Sequence, residues 1–277
     1  MRKWIVAAVC GLTACSRESH SPPLFELLKP EATGITFANT LPEKPDFNPL
    51  NYLYYYNGGG VAAGDIDGDG LPDLYFTSNL GPNKLYRNKG NYQFEDITDK
   101  AGVADRDGWK TGVTMADVNG DGRLDIYVSG VDYLTVHGHN VLYINNGNGT
   151  FADRTREFGL EHAGYSTQAL FFDYDGDGDL DMYLLDHSTH TQRALEAQPQ
   201  QIAKGSPRTG DRLFRNDGNH FIDVTAAAGL HDGVDGYGLG IVASDFNGDG
   251  CPDIYVTNDF QGDDYLYINN CNGTFTE

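Results

Sequence analysis

The sequence predicts an all-β fold, a β-propeller of four-stranded blades, and three observations carry that prediction. One acidic phrase occurs four times in 277 residues. A second phrase, rich in aromatic and β-branched residues, alternates with it. Each unit of the alternation holds four short strand signals bounded by Gly, Asn and Asp, the residues of tight turns. Long internal repeats demand one structural unit per repeat, stacked on its neighbours. Four antiparallel strands per unit make a propeller blade.

The acidic phrase first reads "GDIDGDGLPDLYF", from Gly64 to Phe76. Asp65, Asp67, Asp69 and Asp73 stand at positions 1, 3, 5 and 9 of a loop, with Gly70 at position 6 to permit the sharp turn. Two carboxylates about 4 Å apart repel by roughly 4 kcal/mol at an effective dielectric of about 20, so a cation is needed among them. Position 7, Leu71, offers a main-chain carbonyl. An oxygen-only set of this spacing suits Ca²⁺ better than Mg²⁺. An EF-hand would have Glu at position 12, where Phe76 stands, and the residues that follow alternate as a strand. The phrase is therefore an EF-hand-like loop between strands.

The other copies start at Asp117, Asp173 and Asp245, at intervals of 52, 56 and 72 residues. Their ligand sets are Asp117, Asn119, Asp121 and Asp125; Asp173, Asp175, Asp177 and Asp181; and Asp245, Asn247, Asp249 and Asp253. Position 7 is Arg123, Asp179 and Cys251, and position 12 is Val128, Leu184 and Val256. A side chain that varies at position 7 fits a main-chain ligand. About four Ca²⁺ ions are expected, each fastening an inner hairpin and serving stability.

The strand before each loop is rich in small residues ("GGGVAAG", "TGVTMA", "STQALFF", "GLGIVAS"), as a crowded innermost strand requires. The strand after it is "PDLYFTS", "LDIYVSG", "LDMYLLD" or "PDIYVTN". The second phrase supplies the third strand ("KLYRN", "VLYIN", "RLFRN", "YLYIN") and the fourth ("YQFEDIT", "GTFADRT", "HFIDVT"). Residues 25–37 read as a degenerate tail of the same phrase. Helical periodicity occurs once, near Arg193–Lys204.

The phrases "YNGGGVAAGDIDGDGLPDLYF", "WKTGVTMADVNGDGRLDIYVSG" and "DFNGDGCPDIYVTNDF" resemble FG-GAP/VCBS repeats, whose propeller is that of the integrin α head. More closely they resemble the repeat region of ASPIC/UnbV-type proteins, a family related to cartilage acidic protein. The resemblance covers residues 25–277. It implies seven blades and a small C-terminal domain, so the chain, with four loops, is expected to be the front part of a longer protein. A ring of four blades closed by the strand near Phe25 is the alternative. Such a fold hosts many activities, and the repeat alone assigns none.

Residues 1–14 read as a lipoprotein signal peptide: a basic start, then an apolar run too short to span a bilayer. "LTAC" (Leu12 to Cys15) resembles a bacterial lipobox, making Cys15 the lipidated first residue of the mature chain, residues 15–23 a tether, and 24–277 the propeller. Ser16 after the cysteine favours the outer membrane. The net charge of −21 argues against nucleic acid, which needs a basic face. Export also favours disulfides. With the second and third strands of the last blade paired about Gln261, Asp253 faces residue 269 and Cys251 faces Cys271, so a Cys251–Cys271 disulfide is expected.

Function is expected on the face opposite the calcium loops. Asp186–Asp211 is a long insertion there, of the kind that carries binding surfaces, with His187 and His190. The matching loop of the second blade holds His137 and His139, and a transition-metal site would require these histidines to converge. Tyr54 and Tyr55 enter the first blade on the same face and either stack on sugars or pack between blades. No nucleophile signature is present. The sequence thus predicts a cell-surface calcium-binding lipoprotein, a binding or scaffolding module for glycans or partner proteins. The other reading is a calcium-dependent polysaccharide lyase using His137, His139, His187, His190 and Arg193.

Overall fold

The structure, a computed structural model, describes residues 24–188, 208–231, 233, 236–259 and 263–277. The signal peptide, Cys15, His190, Arg193, the helix expected near 191–204 and Gln261 lie outside them. No described helix is long and apolar enough to cross a membrane.

The described chain is four antiparallel sheets, each running outward in sequence order. Blade one is β1 (Val61–Gly64), β2 (Asp73–Phe76), β3 (Lys84–Asn88) and β4 (Phe94–Asp96). Blade two is β5 (Trp109–Ala116), β6 (Asp125–Tyr133), β8 (Val141–Asn145) and β9 (Phe151–Asp153), with a short extra strand β7 (Val136–His137) folded back on β6. Blade three is β10 (Ser166–Phe172), β11 (Asp181–Asp186), β12 (Arg212–Asn216) and β13 (Phe221–Asp223). Blade four is β14 (Gly238–Ser244), β15 (Asp253–Asn258), β16 (Tyr265–Asn269) and β17 (Phe275–Thr276). Four-stranded sheets in this order are consistent with propeller blades.

Neighbouring blades stack in chain order through their first strands. The core therefore lies between blades. Tyr75 and Leu85 of blade one pack with Ile126, Val128 and Val141 of blade two. Tyr127 and Leu142 pack with Met182, Leu184 and Phe214 of blade three. Tyr183 and Leu213 pack with Ile254, Val256 and Tyr267 of blade four. Successive side chains of a strand point to opposite faces, so Tyr127 joins one neighbour while Ile126 and Val128 join the other. The small residues of the first strands have a steric cause. A Cβ on Gly112 would stand 2.5 Å from the Thr167 carbonyl oxygen of the next blade.

The second phrase closes blades one, two and three by one device. Asp96 accepts both the N–H and the hydroxyl of Thr98, and the Thr98 oxygen accepts the Leu85 N–H. Asp153, Thr155 and Leu142 repeat the pattern, as do Asp223, Thr225 and Leu213. In blades one and three a helical turn follows, α2 (Thr98–Ala101) and α3 (Thr225–Ala228), each ended by a glycine at positive φ. Residues 30–34 form the same turn, α1 (Pro30–Thr33) and Gly34. Gly34 lies against the Phe94 carbonyl as Gly159 lies against that of Phe221. The tail reading of residues 25–37 thus has a structural counterpart. Phe25 itself is in no strand and is exposed, and Phe37 stacks on Phe76 of blade one, so this segment rests on the first blade and does not complete the fourth.

One expected register is corrected. Ile254 faces Tyr267, where pairing about Gln261 would put it opposite Ile268. The Asp264 carboxylate accepts the Asn258 N–H and so fixes the strand ends around an even, six-residue connection. Cys251 and Cys271 consequently lie beyond the paired strands. They are nonetheless joined as a disulfide, with Cα atoms 5.7 Å apart, linking the acidic loop to the turn after β16.

Candidate metal centres and the opposite face

Each acidic loop is organised by its own carboxylates. Asp65 accepts the N–H groups of Gly68, Asp69 and Gly70, which curls the loop around it. These bonds, that of Gly70 foremost, hold its carboxyl below the usual range. Asp173 and Asp245 accept the equivalent N–H groups in loops three and four. Position 5 turns back on position 7: Asp69 Oδ1 accepts the Leu71 N–H, Asp121 that of Arg123, Asp177 that of Asp179, and Asp249 that of Cys251.

Position 9 is different in kind. Asp73, Asp125, Asp181 and Asp253 are wholly buried at the base of the loop. Each accepts one N–H from loop position 2 and one from the last residue of the third strand, as Asp125 does from Val118 (3.0 Å) and Asn145 (2.8 Å). Burial pushes the Asp125 carboxyl up to about 6 and that of Asp181 up to about 7, and the neighbouring loop carboxylates add to the push. A divalent cation reverses that logic. Asp65, Asp67 and Asp73 bring oxygens within 4.8 Å of one another, as do Asp173, Asp175 and Asp181. Converging hard oxygens under like-charge repulsion are the donor set of a hard cation.

Loops two and four are modified. Their position-3 amides, Asn119 and Asn247, donate to the position-5 carboxylates Asp121 and Asp249. The Arg123 side chain also pairs with Asp121 and reaches the Asn145 carbonyl (3.2 Å). In loop four, Asp249 lies beside the disulfide sulfurs.

The residues that tie these loops to the rest of the molecule were not among the sequence candidates. Asn145 Nδ2 donates to Ile66 O, in the loop of the preceding blade (2.8 Å). Asn269 does so to Tyr174 O (2.8 Å) and Asn216 to Val118 O (3.4 Å). The signal was present: an asparagine ends every "LYxN" or "LFxN" strand. Its partner in the preceding blade was not.

On the opposite face the expected ligand residues divide. Tyr54 and His187 meet, ring centroids 4.7 Å apart. Tyr55 packs against Trp109, with its hydroxyl donating to Pro42 O (2.8 Å). Tyr52, from the same tyrosine-rich stretch, completes the aromatic group with Trp109 and Tyr165, which sequence reading passed over. His187 Nδ1 donates to Ser188 O (2.8 Å), which leaves Nε2 to accept the Tyr52 hydroxyl (3.1 Å). His137 stands apart on β7, exposed, and pairs with Asp132 (2.8 Å). His139 lines another hollow with His162, whose Nε2 bonds the buried Asp186 (2.9 Å). Among the described residues, no group of three His, Cys, Asp or Glu that includes a histidine converges. His137, His139 and His187 thus do not come together as a metal-binding group among the described residues.

Loop geometry and blade order are consistent with FG-GAP-like repeats. The FG-GAP-like repeat model matches residues 65–128 and 131–184. The chain is also distantly similar to cartilage acidic protein 1. It is 29% identical over 211 residues to that of Xenopus tropicalis, covering 73% of this chain and 29% of the relative. It is 27% identical over 215 residues to that of Mus musculus, with the same coverage. It is 27% identical over 211 residues to that of Homo sapiens, covering 73% and 28%. The chain thus spans less than a third of the length of these relatives.

Proposed function

We propose that this protein is a calcium-stabilised propeller module, exported and held at the cell surface by a lipidated Cys15, that binds a glycan or a partner protein on the face away from its metal loops. The observation that carries this reading is the division of labour between faces. All four acidic loops lie at one end of the first strands and are locked into the blade architecture through their position-9 carboxylates. The other end presents an open hollow framed by aromatic residues. Calcium is the preferred ion because every loop offers oxygen donors and an extracellular site need bind only in the range of about 10⁻⁴ to 10⁻³ M.

The lyase reading gains no support from the opposite face. Among the described residues, His137, His139 and His187 do not converge, and His187 has both ring nitrogens engaged. Tyr52 and Tyr54 are pushed by burial above the ordinary phenol range, the opposite of what a tyrosine base requires. The test uses the purified chain. Calcium should raise its melting temperature and a chelator should reverse the rise, while acidic polysaccharides remain uncleaved. An unchanged melt removes the calcium role, and cleavage removes the binding-module role.

A further inference from the structure

A hollow of about 410 Å³ opens at the end of the first strands remote from the metal loops, a size within the range of small-ligand sites. We propose that it takes an uncharged, hydroxyl-bearing ring: a neutral sugar residue of a glycan. This rests on the binding-module reading and names the ligand class for its open face.

Position is the first argument. The lining comes from equivalent places in four blades: Gly59 and Gly60, Thr111 and Gly112, Thr167 and Gln168, and Leu239. In blades two, three and four the ladder between the first and second strands breaks register there, between Lys110 and Val113, Ser166 and Gln168, and Gly238 and Gly240. Bulges next to sites re-aim side chains and end pairing. Here they splay the mouth of the blade stack.

Charge is the second. The chain carries 40 acidic and 19 basic residues, yet among the described residues that line this hollow there is no Asp, Glu, Lys or Arg. A charged group entering it would lose water and meet no ionic partner among these lining residues. Acidic polysaccharides and charged peptide side chains are therefore poor occupants.

Hydrogen-bond polarity is the third, and it separates a sugar from an apolar side chain. Thr111 Oγ1 donates to Ser166 O (2.6 Å), and Thr167 Oγ1 donates to Gly238 O (3.0 Å). Both hydroxyl protons are committed to backbone, so each oxygen faces a ligand as an acceptor. Asn57 and Gln168 add amides to the same lining. An apolar side chain would strip water from these groups without replacing their hydrogen bonds. Sugar hydroxyls supply donors to the threonines and meet both ends of the amides. Tyr54 and His187, packed edge to face, supply the apolar aromatic part of the lining.

The experiment titrates the full chain, with calcium, against uncharged hexasaccharides (cello-, xylo-, malto-, laminari- and chito-) and against hexagalacturonate as the anionic probe. Heat of binding is read by calorimetry, and emission of Trp109 in a Trp4→Phe background. At least one neutral oligosaccharide should bind, at least tenfold tighter than hexagalacturonate. Gln168→Ala should weaken it several-fold. Leu239→Trp, a change at a partly exposed position that fills the hollow, should abolish it with the calcium-dependent melt unchanged. The ligand class is overturned if no neutral probe binds at 10 mM, if the anionic probe binds as well, or if Leu239→Trp binds normally. Those outcomes leave the binding-module reading standing, whereas turnover of any probe overturns that reading itself.

Discussion

Arg123 shows how one side chain tunes a repeated site. It stands where blade one has Leu71, and its guanidinium pairs with the loop carboxylate Asp121. The arginine therefore competes with a cation for the same oxygen. Partly exposed ion pairs of this kind are worth about 0.2 to 1 kcal/mol, so Arg123→Leu should tighten calcium at loop two by about 1.4- to fivefold, read by calorimetry. Weaker binding would mean that the arginine supports the loop. Asp211 makes a second residue-scale case. It is buried beside Asp186, and burial, then the Asp186 charge, pushes its carboxyl up to about 7. Its equivalents in blades one and two are asparagines: Asn83 accepts the Ser78 N–H and donates to Tyr75, and Asn140 accepts the Gly130 N–H. A raised folded pKa means that the folded state holds a proton the unfolded state has released. The contribution of Asp211 is thus most favourable below about pH 4 and is lost as pH rises to about 7. Asp211→Asn should match the wild type near pH 4 and exceed it above pH 7, by on the order of 2 to 4 kcal/mol. Denaturant melts at the two pH values check this, and a pH-independent difference would refute it.

At the scale of one element, the fourth loop carries a covalent latch. Gly90, Gly147, Gly218 and Cys271 are equivalent and all have left-handed φ, of 78, 74, 66 and 54°. In blades one and two the position-7 side chain, Leu71 or Arg123, lies over that glycine. In blade four the same neighbours are Cys251 and Cys271, and the contact has become a disulfide. A cysteine at that φ costs roughly 1 to 2 kcal/mol against glycine, while closing a loop of separation 20 contributes about 3 kcal/mol. The pair Cys251→Ser with Cys271→Ser should therefore lose most of that 3 kcal/mol. Cys251→Leu with Cys271→Gly, which copies blade one, should retain about 1 to 2 kcal/mol of it by relieving the backbone. Equal losses in a chemical melt would show that the backbone conformation carries no cost. The latch also marks what sequence reading can reach. The acidic loops were legible because the spacing that makes a loop is local. The disulfide was legible although its register was one residue out, since two loops at one end of a blade can meet under either pairing. The Asn145–Ile66 tie, the Asp186–His162 pair and the Tyr52–His187 bond were not legible. Each joins different blades, or the entering segment to a blade, and no spacing within a repeat encodes that contact.

Those inter-blade ties decide how the whole molecule should respond to calcium. Each loop is bonded to the third strand of its own blade through Asp73, Asp125, Asp181 or Asp253. The first three loops are bonded also to the following blade through Asn145, Asn216 and Asn269. A loop that opens thus loosens two blades, and the interface between those blades is the hydrophobic core. Metal should then act on global unfolding and not on local fraying. At a free calcium concentration ten times the dissociation constant, one site stabilises by about 1.4 kcal/mol, and four independent sites by roughly 6 kcal/mol. That is comparable with the whole stability of a typical domain. For a domain of this size, about 2 to 4 °C per kcal/mol translates it into a rise of roughly 10 to 20 °C in melting temperature between chelator and saturating calcium. Magnesium, which demands a tighter octahedral shell and gives up water reluctantly, should produce a small fraction of the rise. Asp173→Ala should remove about a quarter of it and keep a single transition. A calcium-bound chain that melts in separate steps, one per blade, would show that the asparagine ties do not couple the blades.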